Sequence, residues 1–246
     1  RELQPDLGIV IAFRMLPEVI WDMPRFGTFN VHAALLPQYR GAAPINWAVI
    51  NGETKTGVTT FFLDHDIDTG RIIMQREFPI PDDADVEYVY DGLMELGAGI
   101  CQDTVDLVIS TDGNVPSQPQ REDIELKAAP KIFKETCQID WNNNAKRIYD
   151  FVRGLSPYPG TWTTLASNSE TEKTEASIIK IFKTCKTGIN CNGTAPGTMK
   201  TENTKLMVAA NDEWLDIVEL QAAGKKRMAA RDFLNGFKHI TDMHMK

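Results

Sequence analysis

An apolar run from Leu7 to Phe13, holding a single glycine, opens the readable pattern of the chain. Such a run suits a strand covered on both faces, as in a parallel sheet, because no alternation marks a wet side. Residues 14–17 end it, and a short helix is predicted over 17–23. The next strand is predicted over 27–32, where Phe29 and Val31 alternate with Asn30 and His32. Alternate residues of a strand share a face, so these two polar side chains project to one place. Pro37 and Gly41 bound a loop, and 44–51 is predicted as a helix with proline in its first turn and Gly52 as its stop. Strands are predicted over 57–63 and 70–80. A long helix is predicted over 82–110, with Val89, Leu93, Leu96, Ile100, Leu107 and Val108 on one stripe and Asp82, Asp83 and Asp85 at its positive end. Strands alternating with helices predict an α/β layer with a mostly parallel sheet.

The pattern changes after Pro116. Residues 117–137 are polar, rich in proline and glutamine at first, and read as a linker between a first domain over 1–116 and a second over 138–246. The second opens with a helix after Asn144 that places Ile148, Phe151, Val152 and Leu155 on one face and stops at 157–160. Short strands are predicted over 161–166, 176–184, 205–209 and 215–221, a spacing that suggests a small barrel or sandwich. A terminal helix over 229–237 carries Phe233 and Phe237 one turn apart.

Composition narrows the classes. The 246 residues carry a net charge of −8, which argues against nucleic-acid binding driven by overall charge and leaves room for a local basic cluster such as Lys225-Lys226-Arg227. No apolar stretch reaches the ~18 residues of a membrane span. The four cysteines form no C-x-x-C pair, so no zinc site is expected, and reduced thiols in the cytoplasm are the default reading. No metal is called for.

The candidate chemistry lies in two stretches, Asn30-Val31-His32 and the acidic Asp64-His65-Asp66-Ile67-Asp68. When an amine attacks a carbonyl carbon, negative charge develops on the oxygen, and each donor aimed there is worth about 3 kcal/mol. The amide of Asn30 and the ring of His32 are such donors. Asp68 could orient the imidazole, favour its charged form and take protons from an attacking ammonium. No serine or cysteine nucleophile stands nearby, so direct transfer is expected. Singly, each motif has a blander reading: a satisfied polar pair at a strand end, and a solvated acidic loop that lacks the remaining ligands of a calcium loop.

Together they form a recognisable series. His32-Ala-Ala-Leu-Leu-Pro37, Arg40-Gly-Ala-Ala-Pro44, Thr56-Gly-Val-Thr59 and Asp68-Thr-Gly70 follow in order, after Ala12-Phe-Arg-Met-Leu-Pro17. Ile139-Asp-Trp141, the segments 148–154 and 157–162, Gly224-Lys-Lys-Arg-Met228 and Asp232-Phe-Leu-Asn-Gly236 complete the series. Over nearly its whole length the chain resembles the folate-dependent formyltransferases, and most closely the branch acting on methionyl-tRNA.

That resemblance implies a Rossmann-like catalytic domain and a small OB-like barrel that helps hold tRNA. It implies Asn30, His32 and Asp68 as catalytic residues, 10-formyltetrahydrofolate as donor, and the α-amino group of methionine on initiator tRNA as acceptor. Ala34, Leu35, Leu36 and Pro37 fall on the folate-binding loop. Phe13, Arg14, Met15 and Leu16, with Asp64 and Asp66, would line the pterin pocket. Arg40, Lys225, Lys226 and Arg227 are candidate tRNA contacts, Arg40 having the alternative of holding its own loop in place. A monomer is expected. Ala34 stands where the family often has serine, and the family's opening strands have no counterpart, so the first strand is expected to carry an unpaired edge and the chain alone to be an incomplete, inactive piece. Competing readings are a formyltransferase for amino-sugar nucleotides, a formyltetrahydrofolate hydrolase domain, and a non-catalytic folate- or tRNA-binding module.

Overall fold

The computed structural model describes residues 4–11, 16–167, 177–237 and 240–246. The chain divides into two compact units, one formed by 1–48, 53–82 and 88–131, the other by 132–246 with the short stretches 49–52 and 83–87.

The elements up to residue 131 are β1 (Gly8–Val10), α1 (Glu18–Trp21), β2 (Thr28–His32), β3 (Arg40–Gly41), α2 (Pro44–Ile50), β4 (Lys55–Phe62), β5 (Ile72–Pro79), α3 (Val86–Ser110) and β6 (Ala128–Ala129). The main sheet runs β1-β2-β4-β5. β1 and β2 pair in parallel, whereas β2–β4 and β4–β5 are antiparallel. The parallel share is thus smaller than the alternation of elements suggested. The loop 63–71 between β4 and β5 is too short for the crossover that a parallel pair requires, so those strands form a hairpin. The α/β class stands, with Val89, Leu93, Ile100 and Val108 of α3 buried as the helical stripe requires. The helix begins at Val86, so Asp82, Asp83 and Asp85 precede it and Glu87 is the acidic residue of its first turn.

β1 does not match its apolar pattern. It lies at one end of the strand order, where Ile9 is 46% exposed and Ile11, just past its end, 62%. The segment after α3 is tied down rather than free. Gln118 exchanges both backbone hydrogen bonds with Ile72, at 2.8 and 2.9 Å, and β6 pairs in parallel with β3.

In the other unit lie α4 (Ala145–Gly154), β7 (Thr161–Ser167), β8 (Ser177–Asn190), β9 (Met199–Glu202), β10 (Lys205–Ala209), β11 (Glu213–Ala222), β12 (Met228–Ala229), α5 (Ala230–Gly236) and β13 (Met243–Met245). Asn144 caps α4 by accepting from the Arg147 N–H at 2.8 Å. The strands form one antiparallel sheet in the order β13-β7-β8-β11-β10-β9, with β12 beside β11. Met245 N donates to Gly197 O at 2.9 Å and Thr198 bridges His244, which brings the two ends together into a nearly closed barrel. Its core joins Ile148 and Val152 of α4 to Ile179, Ile181, Leu206, Val208, Leu215 and Ile217. β8 runs six residues past its expected end at Thr184, into Cys185-Lys-Thr-Gly-Ile-Asn190, where polar side chains give no apolar period to read.

Candidate active site

β2 carries Asn30 and His32 into the interior, where Asn30 is 5% and His32 6% exposed. They pair across the sheet with Phe61 and Thr59 of β4, and the Phe61 ring stands edge-on to the imidazole at 6.4 Å. The His32 Nε2 atom is 2.9 Å from the Tyr39 carbonyl oxygen. A carbonyl only accepts, so Nε2 carries a proton and Nδ1 is the nitrogen left for other work. Nδ1 faces Asp68 Oδ2 at 3.8 Å, with both side chains nearly buried. Asn30 Oδ1 is buried without a hydrogen-bond partner. An acceptor in that state costs stability unless a ligand or a water satisfies it.

The backbone that holds His32 is itself fixed. Tyr39 has φ of 61°, its N–H donates to Lys127 O at 2.6 Å, and its hydroxyl donates to Glu53 Oε1 at 2.5 Å. Lys127 Nζ also donates to Glu53, at 2.5 Å. Burial pushes the Glu53 carboxyl up, but hydrogen bonds from Lys127 and Tyr39 and the lysine charge outweigh it, so the group sits below the ordinary carboxylate range.

Asp68 sits in the β4–β5 loop with φ of 58°, in left-handed space where a non-glycine residue needs support. Its Oδ2 accepts from the Gly41 N–H at 2.9 Å. Gly41 has φ of 127°, and a Cβ there would lie 2.5 Å from Ala129 O, so only glycine lets the chain pass. Earlier in the loop Asp64 Oδ1 accepts from Thr69 Oγ1 at 2.6 Å and from the Asp66 N–H at 3.2 Å, and both acids are exposed. Asp64 therefore shapes the turn that presents Asp68.

The 34–37 loop hangs on Thr59. Its hydroxyl donates to Ala34 O at 2.6 Å and accepts from Leu36 N at 3.1 Å, while Gln75 Nε2 donates to Leu36 O at 2.8 Å. Ala34 is fully buried, and Leu36 packs in the core with Phe61 and Ile72. Leu35 and Pro37 are half-buried and keep surface for a ligand. Leu16 is half-buried; Phe13, Arg14 and Met15 lie outside the described residues.

Arg40 donates through Nε and Nη2 to Gln120 Oε1, at 3.0 and 2.7 Å, the arrangement of its loop-holding alternative. Lys225, Lys226 and Arg227 occupy an exposed turn between β11 and β12. Arg227 pairs with Glu219 at 2.5 Å and lies over the Phe182 ring at 4.5 Å.

Four supports, Tyr39, Glu53, Gln75 and Gln120, escaped sequence reasoning. A glutamine in a polar stretch gives no local sign of the partners it finds 50 residues away. What the site offers chemically is a buried imidazole with one free nitrogen, a carboxylate facing it, and an unsatisfied amide oxygen on the same strand face. That set can bind an N–H group, accept its proton and stabilise charge on an oxygen.

Residues 1–105 match the family described as formyl transferase, and residues 131–238 the family described as formyl transferase, C-terminal domain. The methionyl-tRNA formyltransferase of Parabacteroides distasonis is 56% identical over 246 residues, covering 98% of this chain and 74% of that protein. Two solved structures share the fold. HypX from Aquifex aeolicus, in complex with tetrahydrofolic acid, superposes with a TM-score of 0.63 at 21% identity, covering 95% of this chain and 39% of that one. WlaRD, a sugar 3N-formyl transferase in the presence of dTDP and 5-N-formyl-THF, gives 0.65 at 18% identity, covering 92% and 76%.

Proposed function

This chain belongs to the formyl transferase family, and from that footing we propose that it transfers a formyl group from 10-formyltetrahydrofolate to the α-amino group of methionine on initiator tRNA. The observation that carries the chemistry is His32 Nδ1 facing Asp68 Oδ2 at 3.8 Å, with Asn30 on the same face of β2. The acceptor is supported by the likeness to the Parabacteroides enzyme. In this reading 1–116 is the catalytic domain, 117–137 the connection and 138–246 the tRNA-holding barrel.

The amine reacts only as the free base, and Asp68 takes its proton, directly or through water. The nitrogen–carbon bond then forms as charge moves onto the formyl oxygen; the attacking nitrogen gives up its second proton, which passes to the donor's nitrogen as the carbonyl re-forms and the donor's carbon–nitrogen bond breaks. Because Nε2–H is held by Tyr39 O, His32 can donate to that oxygen only through Nδ1–H, that is, as an imidazolium. The Asn30 amide adds a donor, and its oxygen a seat for the incoming N–H. Leu35 and Pro37, with Leu16, would pack on the folate, and Asp64 would act by shaping the loop.

The test is a formylation assay of the full-length protein with 10-formyltetrahydrofolate, against charged initiator tRNA, uncharged tRNA and an amino-sugar nucleotide. Formylmethionine from the charged tRNA alone is expected. Transfer to the sugar, or donor hydrolysis without transfer, overturns the acceptor; folate binding with no turnover overturns the enzyme.

A further inference from the structure

We propose that Gln120, held by Arg40, is a positioning residue that sets the Asp68 carboxylate against His32. The inference rests on the reading of that site given above. Gln120 is 9% exposed, and its amide is used at both ends. Its Oε1 accepts from Arg40 Nε at 3.0 Å and Nη2 at 2.7 Å. Its Nε2 donates to Asp68 O at 2.8 Å and to Gly70 O at 2.9 Å. One side chain thus grips the main chain on both sides of Thr69, at the place where Asp68 adopts φ of 58°.

Left-handed backbone at a non-glycine residue costs about 1 kcal/mol or more and persists only where neighbours hold it. Here the Gly41 N–H holds the carboxylate, and Gln120 holds the carbonyl of the same residue. Arg40 and Gly41 are adjacent in β3, so one two-residue strand fixes both ends of Asp68, through its own N–H and through Gln120. The strand is in turn pinned by its pairing with β6. Releasing Gln120 frees the loop to relax, and the 3.8 Å approach of Oδ2 to Nδ1 is the geometry that would be lost.

Gln120→Glu is the sharpest probe. The glutamate still accepts from Arg40 but sets a carboxylate, which cannot donate, against two carbonyl oxygens. In the full-length protein kcat should fall about 30-fold, somewhat less than the ~10²-fold that a 1 Å misplacement can cost, with KM for donor and charged tRNA within about twofold. Combined with Asp68→Asn and measured in single turnover, the change should cost nothing beyond Asp68→Asn alone, because its route is through that carboxylate. A merely structural role gives losses that multiply, and that result, or an unchanged kcat, overturns the proposal. Arg40→Met removes the other half of the clamp and carries the same cycle should Gln120→Glu fail to fold; losses independent of Asp68 again overturn it. No transfer by the unmutated protein would count against the function reading, whereas transfer with multiplying losses counts against the clamp alone.

Discussion

The Nε2 atom of His32 lies 2.9 Å from the carbonyl oxygen of Tyr39, seven residues further along the chain. The bond settles which ring nitrogen is spent on structure, and it leaves Nδ1 turned to Asp68. His32→Ala should therefore remove most formyl transfer, about 10²–10⁴-fold in kcat, since proton handling and oxyanion stabilisation go together. Donor binding should persist, because no described contact of the 34–37 loop uses the imidazole. Equilibrium binding of folate alongside the formylation assay reads both; transfer near the unmutated rate would remove His32 from the mechanism.

Asp68→Asn tests the charge while keeping the shape. The amide oxygen can still accept from the Gly41 N–H, so the loop should hold and Tm should move little. The loss of the carboxylate should lower kcat by about 10²-fold, within the range of a general base. A variant as active as the parent would mean that the amine sheds its proton to solvent.

Glu53 links the site to pH. Its folded carboxyl lies below the ordinary value, so between the two values the unfolded chain binds more protons and stability rises with pH. The contribution is fully present above the unfolded value, near 4.5, and is lost as pH falls through the depressed folded one. Glu53→Gln removes that contribution and leaves Tyr39 and Lys127 without their charged partner. Denaturant unfolding of both proteins should show a gap that is widest at neutral pH and closes on acidification. A gap independent of pH would contradict the assignment.

How much of this was legible depends on whether a residue's job is local. Asn30 and His32 announce themselves by strand alternation, and the barrel strands by apolar periods around Ile179, Leu206 and Leu215. Asp68 stands out from Asp64 and Asp66 by the tight turn at Thr69-Gly70 and by the family series, and the fold leaves it half-buried while the other two are exposed. Leu36 and Ala34 look like ligand surface in sequence, but Phe61 and Thr59 of the neighbouring strand claim them for the core. Gln120 was unreadable. Its segment has the composition of a linker, and its partners Arg40 and Gly70 are 80 and 50 residues away.

Gly70 lies near the end of the loop that presents Asp68, and a Cβ at that position would stand 1.6 Å from the Phe62 carbonyl oxygen. Backbone must move to admit it. Gly70→Ala should cost about 3 kcal/mol, in the range of severe steric replacements, and should lower kcat together with stability because Gly70 O is one of the anchors of Gln120. Unfolding midpoints and kcat at a temperature where the variant is folded test the pair of effects. Unchanged values would mean that the close approach is relieved without moving the loop.

The basic turn of the barrel separates by partner. Arg227 already carries an ion pair to Glu219 and stacks over Phe182, so Arg227→Ala should loosen the turn as well as any hold on tRNA. Lys225 and Lys226 are exposed, which makes them the cleaner test. If both meet phosphates, Lys225→Ala with Lys226→Ala should weaken charged-tRNA binding across sequences and leave kcat unchanged. The slope of log affinity against log salt should fall by about 1–2, roughly one counterion for each phosphate that a lysine no longer neutralises. Binding titrations of charged initiator tRNA at several salt concentrations give that slope. An unaltered slope would move the tRNA footprint to another surface of this unit, since a lysine that releases no counterion touches no phosphate.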